Sequence, residues 1–180
     1  HMVWLDTNLQ QMLVYESLLN IGFHIERWQE IEDMEDEMKR LRAYVNEHLW
    51  DDATGFLYDR YGDGSLCTTK GIGAFWALQA DALDKGRMDR MVAHLADTAE
   101  FDRPHRVPSL SADHPKYNPL GRYWQGGVWP GTNYMVIDGL YRKGYHDLAR
   151  EIAANHYAAV FEVWKNTGTC LLYTSDAADE

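Results

Sequence analysis

The sequence predicts an all-α protein, specifically a partial (α/α) toroid made of about three helical hairpins. Apolar residues recur every three to four positions in six segments of the 180-residue chain, as in amphipathic helices. Segments with one charged face alternate with segments that are apolar nearly all round. That alternation is typical of outer and inner helices in one ring, because only an inner helix is covered on several sides.

The six predicted helices pair into three hairpins in chain order. They span about 6–21, 26–49, 71–83, 86–97, 130–143 and 145–165. In the last helix, Phe161 and Trp164 are expected to point inward. A small β-hairpin or loop is expected near residues 51–66, since glycines punctuate that region.

A long segment without helical periodicity, residues 100–127, separates the second hairpin from the third. It contains four of the five prolines and many polar residues. Loops of this length are usually functional or disordered. Because this one leads directly into the most aromatic part of the chain, we expect it to be functional.

The aromatic segment, residues 121–134 (GRYWQGGVWPGTNY), predicts a carbohydrate-binding cleft. Flat aromatic rings stack on the apolar faces of sugar rings, and amides hydrogen-bond to hydroxyls. We expect Trp124 and Trp129 to be sugar platforms and Gln125 to contact hydroxyls, while Asn133 and Tyr134 line or brace the pocket. The full set of predicted substrate-binding residues is Tyr123, Trp124, Gln125, Gly126, Gly127, Trp129, Asn133 and Tyr134.

The order of residues in the aromatic segment resembles glycoside hydrolase family 63 and the trehalases. Looser similarity extends to residues 4–8, 49–59 and 107–109. This resemblance implies an (α/α) barrel of six hairpins, of which the chain supplies about three. It also implies an inverting α-glycosidase, in which two carboxylates about 6.5–9.5 Å apart act as general acid and general base.

Both ends of the chain carry residues that look foreign to this family. His1 and Met2 resemble a cloning remnant, and residues 170–180 (CLLYTSDAADE) resemble the translation of a sequencing-library adapter. We therefore expect one domain at 3–169 and a non-native tail after it. The resemblance implies a general base after Thr169 and a general acid before the start of the chain, so no catalytic residue is assigned.

Composition argues against several other classes of protein. With a net charge of −11 and no Lys/Arg cluster, nucleic acid and anionic membranes are poor partners. His105 and His114, with Asp102 and Asp113, lack metal-ligand spacing, so neither a metal nor another cofactor is expected. The expected ligand is an oligosaccharide or disaccharide. The expected setting is soluble, in bacterial cytoplasm or periplasm, although the compartment is left open.

Two alternatives to the glycosidase interpretation remain open. The first is an inert helical fragment that self-associates or binds carbohydrate weakly, and the second is a sugar epimerase-like toroid. A half toroid leaves the inner faces of its end hairpins uncovered, and large apolar patches usually mark interfaces. We therefore expect a homodimer or higher homo-oligomer, most simply a two-fold dimer.

Overall fold

The computed structural model describes residues 2–169. His1 and the predicted non-native tail, 170–180, lie outside the described residues. The α-helices of the described part are α1 (Leu5–His24), α2 (Trp28–Tyr44), α3 (Lys85–Ala93), α4 (Pro130–Arg142) and α5 (His146–Thr167). Shorter helical turns are a π-helical end to α2 (Val45–Leu49) and 3₁₀ helices at Ile72–Leu78, His94–Ala96 and Tyr123–Gln125. The 3₁₀ helix Ile72–Leu78 is called the central helix below.

Four two-residue strands form two small antiparallel sheets. They are β1 (Met2–Val3), β2 (Trp50–Asp51), β3 (Phe56–Leu57) and β4 (Arg60–Tyr61). Strands β2 and β3 form a hairpin, whereas β4 pairs with β1 from the start of the chain. The β-structure predicted near residues 51–66 is confirmed, and one of its partners comes from a distant part of the sequence.

The central helix lies between α1 and α4, and these three form an inner row. Outside that row, α2 packs on α1 and α5 packs on α4. Gly139 lets α4 approach the central helix closely, because a Cβ there would lie 2.5 Å from Cβ of Leu78. The predicted partial (α/α) toroid is therefore confirmed, with its inner helices side by side.

A group of phenylalanines joins the hairpin, the central helix and the long loop. Phe75 of the central helix meets Phe56 of β3 edge to face at 5.7 Å and Phe101 at 5.3 Å between ring centroids. Phe56 and Phe101 stack at 6.2 Å. All three side chains are fully buried. These contacts fix the beginning of the loop against the inner row.

Two details of the helices differ from the sequence prediction. The third predicted helix is a 3₁₀ helix that ends at Leu78, five residues earlier than expected. The expectation that Phe161 and Trp164 point inward is wrong, because they are 42% and 52% exposed. Helix α5 buries small residues and one isoleucine against its neighbours, which leaves its aromatic residues on the outer side.

The N-terminal ends of the three inner helices lie at one end of the fold. A carboxylate oxygen of Asp59, which precedes β4, accepts the backbone N–H of Leu5 at 2.7 Å and so caps α1. At the central helix, the backbone N–H of Ile72 donates to the carbonyl of Ser109 at 3.0 Å. The connection through residues 50–71 and the loop through 97–129 therefore both cover this end.

The buried amide of Asn133 ties the long loop to α4. Its Oδ1 accepts the backbone N–H of Val107 at 2.6 Å, and its Nδ2 donates to the carbonyls of Val107 and Trp129 at 3.1 Å each. Asn133 and Val107 are fully buried. Because Val107 is fully buried, its backbone N–H and C=O need a hydrogen-bond partner within the protein, and the amide of Asn133 provides it.

A second tie to the loop is ionic. Lys70, two residues before the central helix, donates to Glu100 and, at 3.1 Å, to Asp113. Burial lowers the pKa of Lys70, but its bonds to the two carboxylates outweigh burial and raise the pKa above its usual value. Burial likewise raises the pKa of Asp113, but hydrogen bonds from Ser111 and from the charged Lys70 hold this pKa below its usual range.

Asn133→Ala should destabilise the fold strongly. It leaves the N–H and C=O of Val107 buried without partners, at about 1–3 kcal/mol for each group. We expect a loss of roughly 2–5 kcal/mol in the free energy of unfolding, measured by urea denaturation. The control is Asn20→Ala on the exposed side of α1, which should change stability by less than about 0.5 kcal/mol. Equal effects of the two substitutions would contradict the tie.

Asp113→Asn tests the ionic tie through its pH dependence. A carboxylate with a depressed folded-state pKa stabilises above about pH 4 and loses that contribution as pH falls. The variant should be less stable than the unchanged protein at neutral pH, by less than about 1 kcal/mol because the carboxylate is 45% exposed. This difference in the free energy of unfolding, measured by urea denaturation, should disappear in acid. The control Asp33→Asn, on the exposed side of α2, should be as stable as the unchanged protein at neutral pH. A loss of stability in Asp113→Asn that persists in acid would contradict the ionic tie.

Candidate functional site

The aromatic segment begins with a tight turn that only glycine can make at one position. Arg122 and Tyr123 adopt positive φ values of 31° and 65°, and Gly126 has φ of 144°. A Cβ on Gly126 would lie 2.4 Å from the carbonyl oxygen of Asn118. Both the backbone angle and the close approach therefore require glycine at this position.

The turn is anchored by backbone hydrogen bonds to the long loop. Ser109 accepts the N–H of Gly126 through Oγ at 3.2 Å and donates its own N–H to the carbonyl of Gly127 at 3.0 Å. The N–H of Asn118 donates to the carbonyl of Gln125 at 2.7 Å. Because Ser109 also bonds to the central helix, the turn lies beside the N-terminal ends of the inner helices.

Three aromatic side chains form a cluster at this turn, called the aromatic cluster below: Tyr123, Trp124 and Trp129. The two tryptophans stack with ring centroids 4.7 Å apart and planes 18° apart. Tyr123 meets Trp129 edge to face at 5.2 Å. Tyr123 is 62% and Trp124 47% exposed, whereas Trp129 is partly buried. The two tryptophans thus form one layered stack, called the platform below.

Helix α4 begins directly under this platform. Pro130 occupies its first turn, where the missing N–H costs nothing. The carbonyl of Trp129 accepts hydrogen bonds from the N–H of Asn133 at 2.9 Å and from Oγ1 of Thr132 at 3.1 Å. The platform is therefore attached to a regular helix, which restricts the orientation of the Trp129 ring.

The remaining predicted site residues divide into four groups. Gln125 has an exposed side chain beside the aromatic cluster, while Gly126 and Gly127 are buried and serve the backbone turn. Asn133 is fully buried and braces the loop. Tyr134 is 70% exposed but lines a shallow groove between α4 and α5.

Sequence reasoning left Trp4 and Asp6 out of the predicted site. Trp4, directly before α1, is 61% exposed. With Asp6 it lines a cavity of about 290 Å³ between the ends of α1 and the central helix. Asp6 Oδ1 accepts the N–H of Thr7 at 2.7 Å, and the carboxyl group faces Gly73. The available signal in the sequence was a tryptophan directly before a predicted helix, in a segment already similar to the family.

Ionisable groups near the site are mostly engaged in structure. The aromatic segment itself contains no Asp or Glu. Asp102 pairs with Arg106, and Asp113 with Lys70, so neither joins a histidine in a metal site. Within residues 2–169, no three His, Cys, Asp or Glu side chains lie close enough together to hold a metal ion. In the same range, no helix is long and apolar enough to cross a membrane.

Comparison with known proteins identifies the family of this chain. The model of the mannosylglycerate hydrolase MGH1-like glycoside hydrolase domain matches residues 5–168. The mannosylglycerate hydrolase of Thermus thermophilus is 31% identical over 113 residues, covering 62% of this chain and 27% of that protein. The cytosolic neutral trehalase of Kluyveromyces lactis is 30% identical over 112 residues, covering 61% and 15%. The chain thus spans about a quarter or less of these relatives.

Solved structures share the fold. The crystal structure of a family 63 mannosylglycerate hydrolase from Thermus thermophilus, in complex with Tris, matches with a TM-score of 0.82 and 22% identity, covering 97% of this chain and 40% of that one. Neutral trehalase from Saccharomyces cerevisiae matches with a TM-score of 0.80 and 16% identity, covering 99% and 35%. The predicted resemblance to family 63 and the trehalases is confirmed.

Gly126→Ala should disrupt the turn that carries the aromatic cluster. The added methyl group meets a backbone oxygen at 2.4 Å, and the φ of Gly126 is strained for any other residue. We expect a loss of stability of at least about 1 kcal/mol and altered near-ultraviolet circular dichroism from the tryptophans. Gly131→Ala in α4 is the matched control, because its Cβ meets nothing within 4 Å. The control should be neutral or slightly stabilising; similar losses in both variants would contradict the account.

Proposed function

Because the chain belongs to the family of mannosylglycerate hydrolase MGH1-like glycoside hydrolase domains, we propose that it carries part of the sugar-binding cleft of an inverting α-glycosidase. The cleft lies at the N-terminal ends of the inner helices. It consists of the aromatic cluster on one side and the Trp4–Asp6 cavity on the other. The proposed ligand is a small α-linked glycoside such as mannosylglycerate, with trehalose as the neutral alternative.

One observation carries this proposal: Trp124 stacks on Trp129 and still remains 47% exposed, from which we infer that its outer face is open. Trp129 supports the inner face of that ring at 4.7 Å, and α4 holds Trp129. A large ring held flat before the ligand arrives loses little conformational freedom on binding. Tyr123 stands at 78° to Trp124 and forms a wall beside it. A flat floor with one upright wall suits the apolar face of a pyranose ring.

Polar groups suited to sugar hydroxyls lie beside the platform and in the cavity. The exposed amide of Gln125 follows Trp124 directly in the chain. In the cavity, one oxygen of the Asp6 carboxylate accepts hydrogen bonds from Thr7, so the other oxygen is available to accept a hydrogen bond from a sugar hydroxyl. Clefts for small molecules typically combine an apolar surface with a few such polar groups. We propose that Gln125 and Asp6 fix the orientation of the sugar.

Trp124→Ala should weaken binding more than any other single change in the aromatic cluster. Truncation of a central tryptophan typically costs about 2 kcal/mol or more, which is roughly a 30-fold loss of affinity. The measurement is a titration of mannosylglycerate, and separately of trehalose, followed by isothermal calorimetry. The control is Trp28→Ala, which removes a tryptophan of similar exposure, 52%, after the opposite end of α1. If both variants bind like the unchanged protein, the platform is not the sugar site.

Binding without hydrolysis is the expected behaviour of the 180-residue chain. The aromatic segment contains no carboxylate, and Asp6 is the one carboxylate that we assign to sugar binding. An inverting glycosidase needs two carboxyl groups about 6.5–9.5 Å apart across the scissile bond. The measurement is release of free sugar from mannosylglycerate or trehalose during prolonged incubation. Sustained turnover that Trp124→Ala abolishes would contradict this expectation, and would show that two described carboxylates act together at the platform.

A further inference from the structure

Helix α1 is apolar on two opposite sides, and within residues 2–169 only one of these two sides is covered. Leu5, Leu9 and Met12 are buried against the inner row. At 100° per residue, a second stripe lies about 180° around the helix from them. This stripe, called face A, consists of Val14, Leu18, Ile21 and Ile25, at the end of α1, and these residues are 37–59% exposed. A helix that is apolar all round is normally covered all round.

A second uncovered apolar surface lies at the opposite end of the inner row, on α4 and α5. The groove between these helices has a volume of about 230 Å³ and is lined mainly by apolar side chains. Its floor contains the small residues Ala149 and Ala153. The surface, called face B, is bordered by exposed aromatic residues: Tyr134, Tyr141, Tyr157, Phe161 and Trp164.

We propose that the 180-residue chain forms a dimer in which a second copy covers both faces, with face A of each copy in face B of the other. The row α1–central helix–α4 is an arc with face A at one end and face B at the other. Two such arcs related by a two-fold axis bring both pairs of faces together at once and close a ring of six hairpins. This inference does not depend on sugar binding.

Shape favours this pairing. The side chains of face A follow one another at i, i+4, i+7 and i+11, which makes a narrow aliphatic ridge along α1. Face B offers a groove with an alanine floor between two helices. A ridge of this kind packs into a groove between side chains on a facing helix, as in ordinary helix packing.

The exposed area and the charges of the two faces also favour the pairing of face A with face B. At about half exposure, each aromatic side chain of face B leaves roughly 100 Å² in water, so the face offers about 500 Å². That lies in the upper part of the range for the largest patch on a monomer, and both faces together approach the ~800 Å² per partner of a stable interface. Each copy carries a net charge of −11, but no residue of face A is charged, and the groove of face B is lined by one residue of each sign, Asp138 and Arg150.

The first test is the mass of the 180-residue chain in solution, measured by light scattering after gel filtration at micromolar concentration and physiological salt. We expect about twice the 20.8 kDa of one chain. Ile21→Lys on face A and Phe161→Glu on face B should each reduce the mass to that of a monomer. Ala43→Glu, a charged substitution on the exposed side of α2, should leave the dimer intact. Circular dichroism checks that every variant remains helical.

Mixing the two single variants tests the pairing itself. A heterodimer of Ile21→Lys with Phe161→Glu keeps one unaltered contact between face A and face B and places opposite charges at the other. We therefore expect the mixture to regain the dimer mass. A monomeric unchanged chain would overturn the proposal, as would open-ended filaments. A dimer that survives Phe161→Glu alone would also overturn it, since that result means that face A pairs with face A.

Discussion

The buried amide of Asn133 is the interaction on which the site depends. Through it, the first turn of α4 satisfies both backbone polar groups of Val107 inside the core. The same amide bonds to the carbonyl of Trp129, the residue that supports the platform. One side chain therefore fixes the loop, the helix start and the inner tryptophan relative to one another. Its role is to brace the cleft from below, because it is fully buried.

From that point the rest of the site follows by short backbone steps. Ser109, two residues after Val107, bonds to the central helix and to the turn at Gly126. The turn closes against Asn118 with no room for a Cβ. The aromatic rings are thus held by backbone geometry and by one another, with few contacts from flexible side chains. Such a preformed platform suits a ligand that offers many weak contacts and few charges.

Sequence periodicity was sufficient for the helices and for their inner or outer positions, because burial on one side or on several leaves a direct pattern. The aromatic segment was also recognisable, since so many ring residues and glycines rarely occur together. The sequence did not reveal that Trp124 and Trp129 stack on each other, because their ring orientation depends on the positive-φ turn. Tyr134 faces away for a different reason: it lies about 100° around α4 from the buried Asn133. The exposed stripe on α5 was predicted as inward for a related reason. Periodicity shows that a face is apolar, not what covers it.

The central claim is that the open face of Trp124 contacts a sugar. The most direct measurement is the set of indole N–H resonances of the seven tryptophans, followed by NMR as mannosylglycerate is added. We expect the indole N–H resonances of Trp124 and Trp129 to shift together and to saturate, while the chemical shifts of Trp28 and Trp164 remain unchanged. Saturable binding that leaves Trp124 and Trp129 unchanged would place the sugar elsewhere and contradict the account.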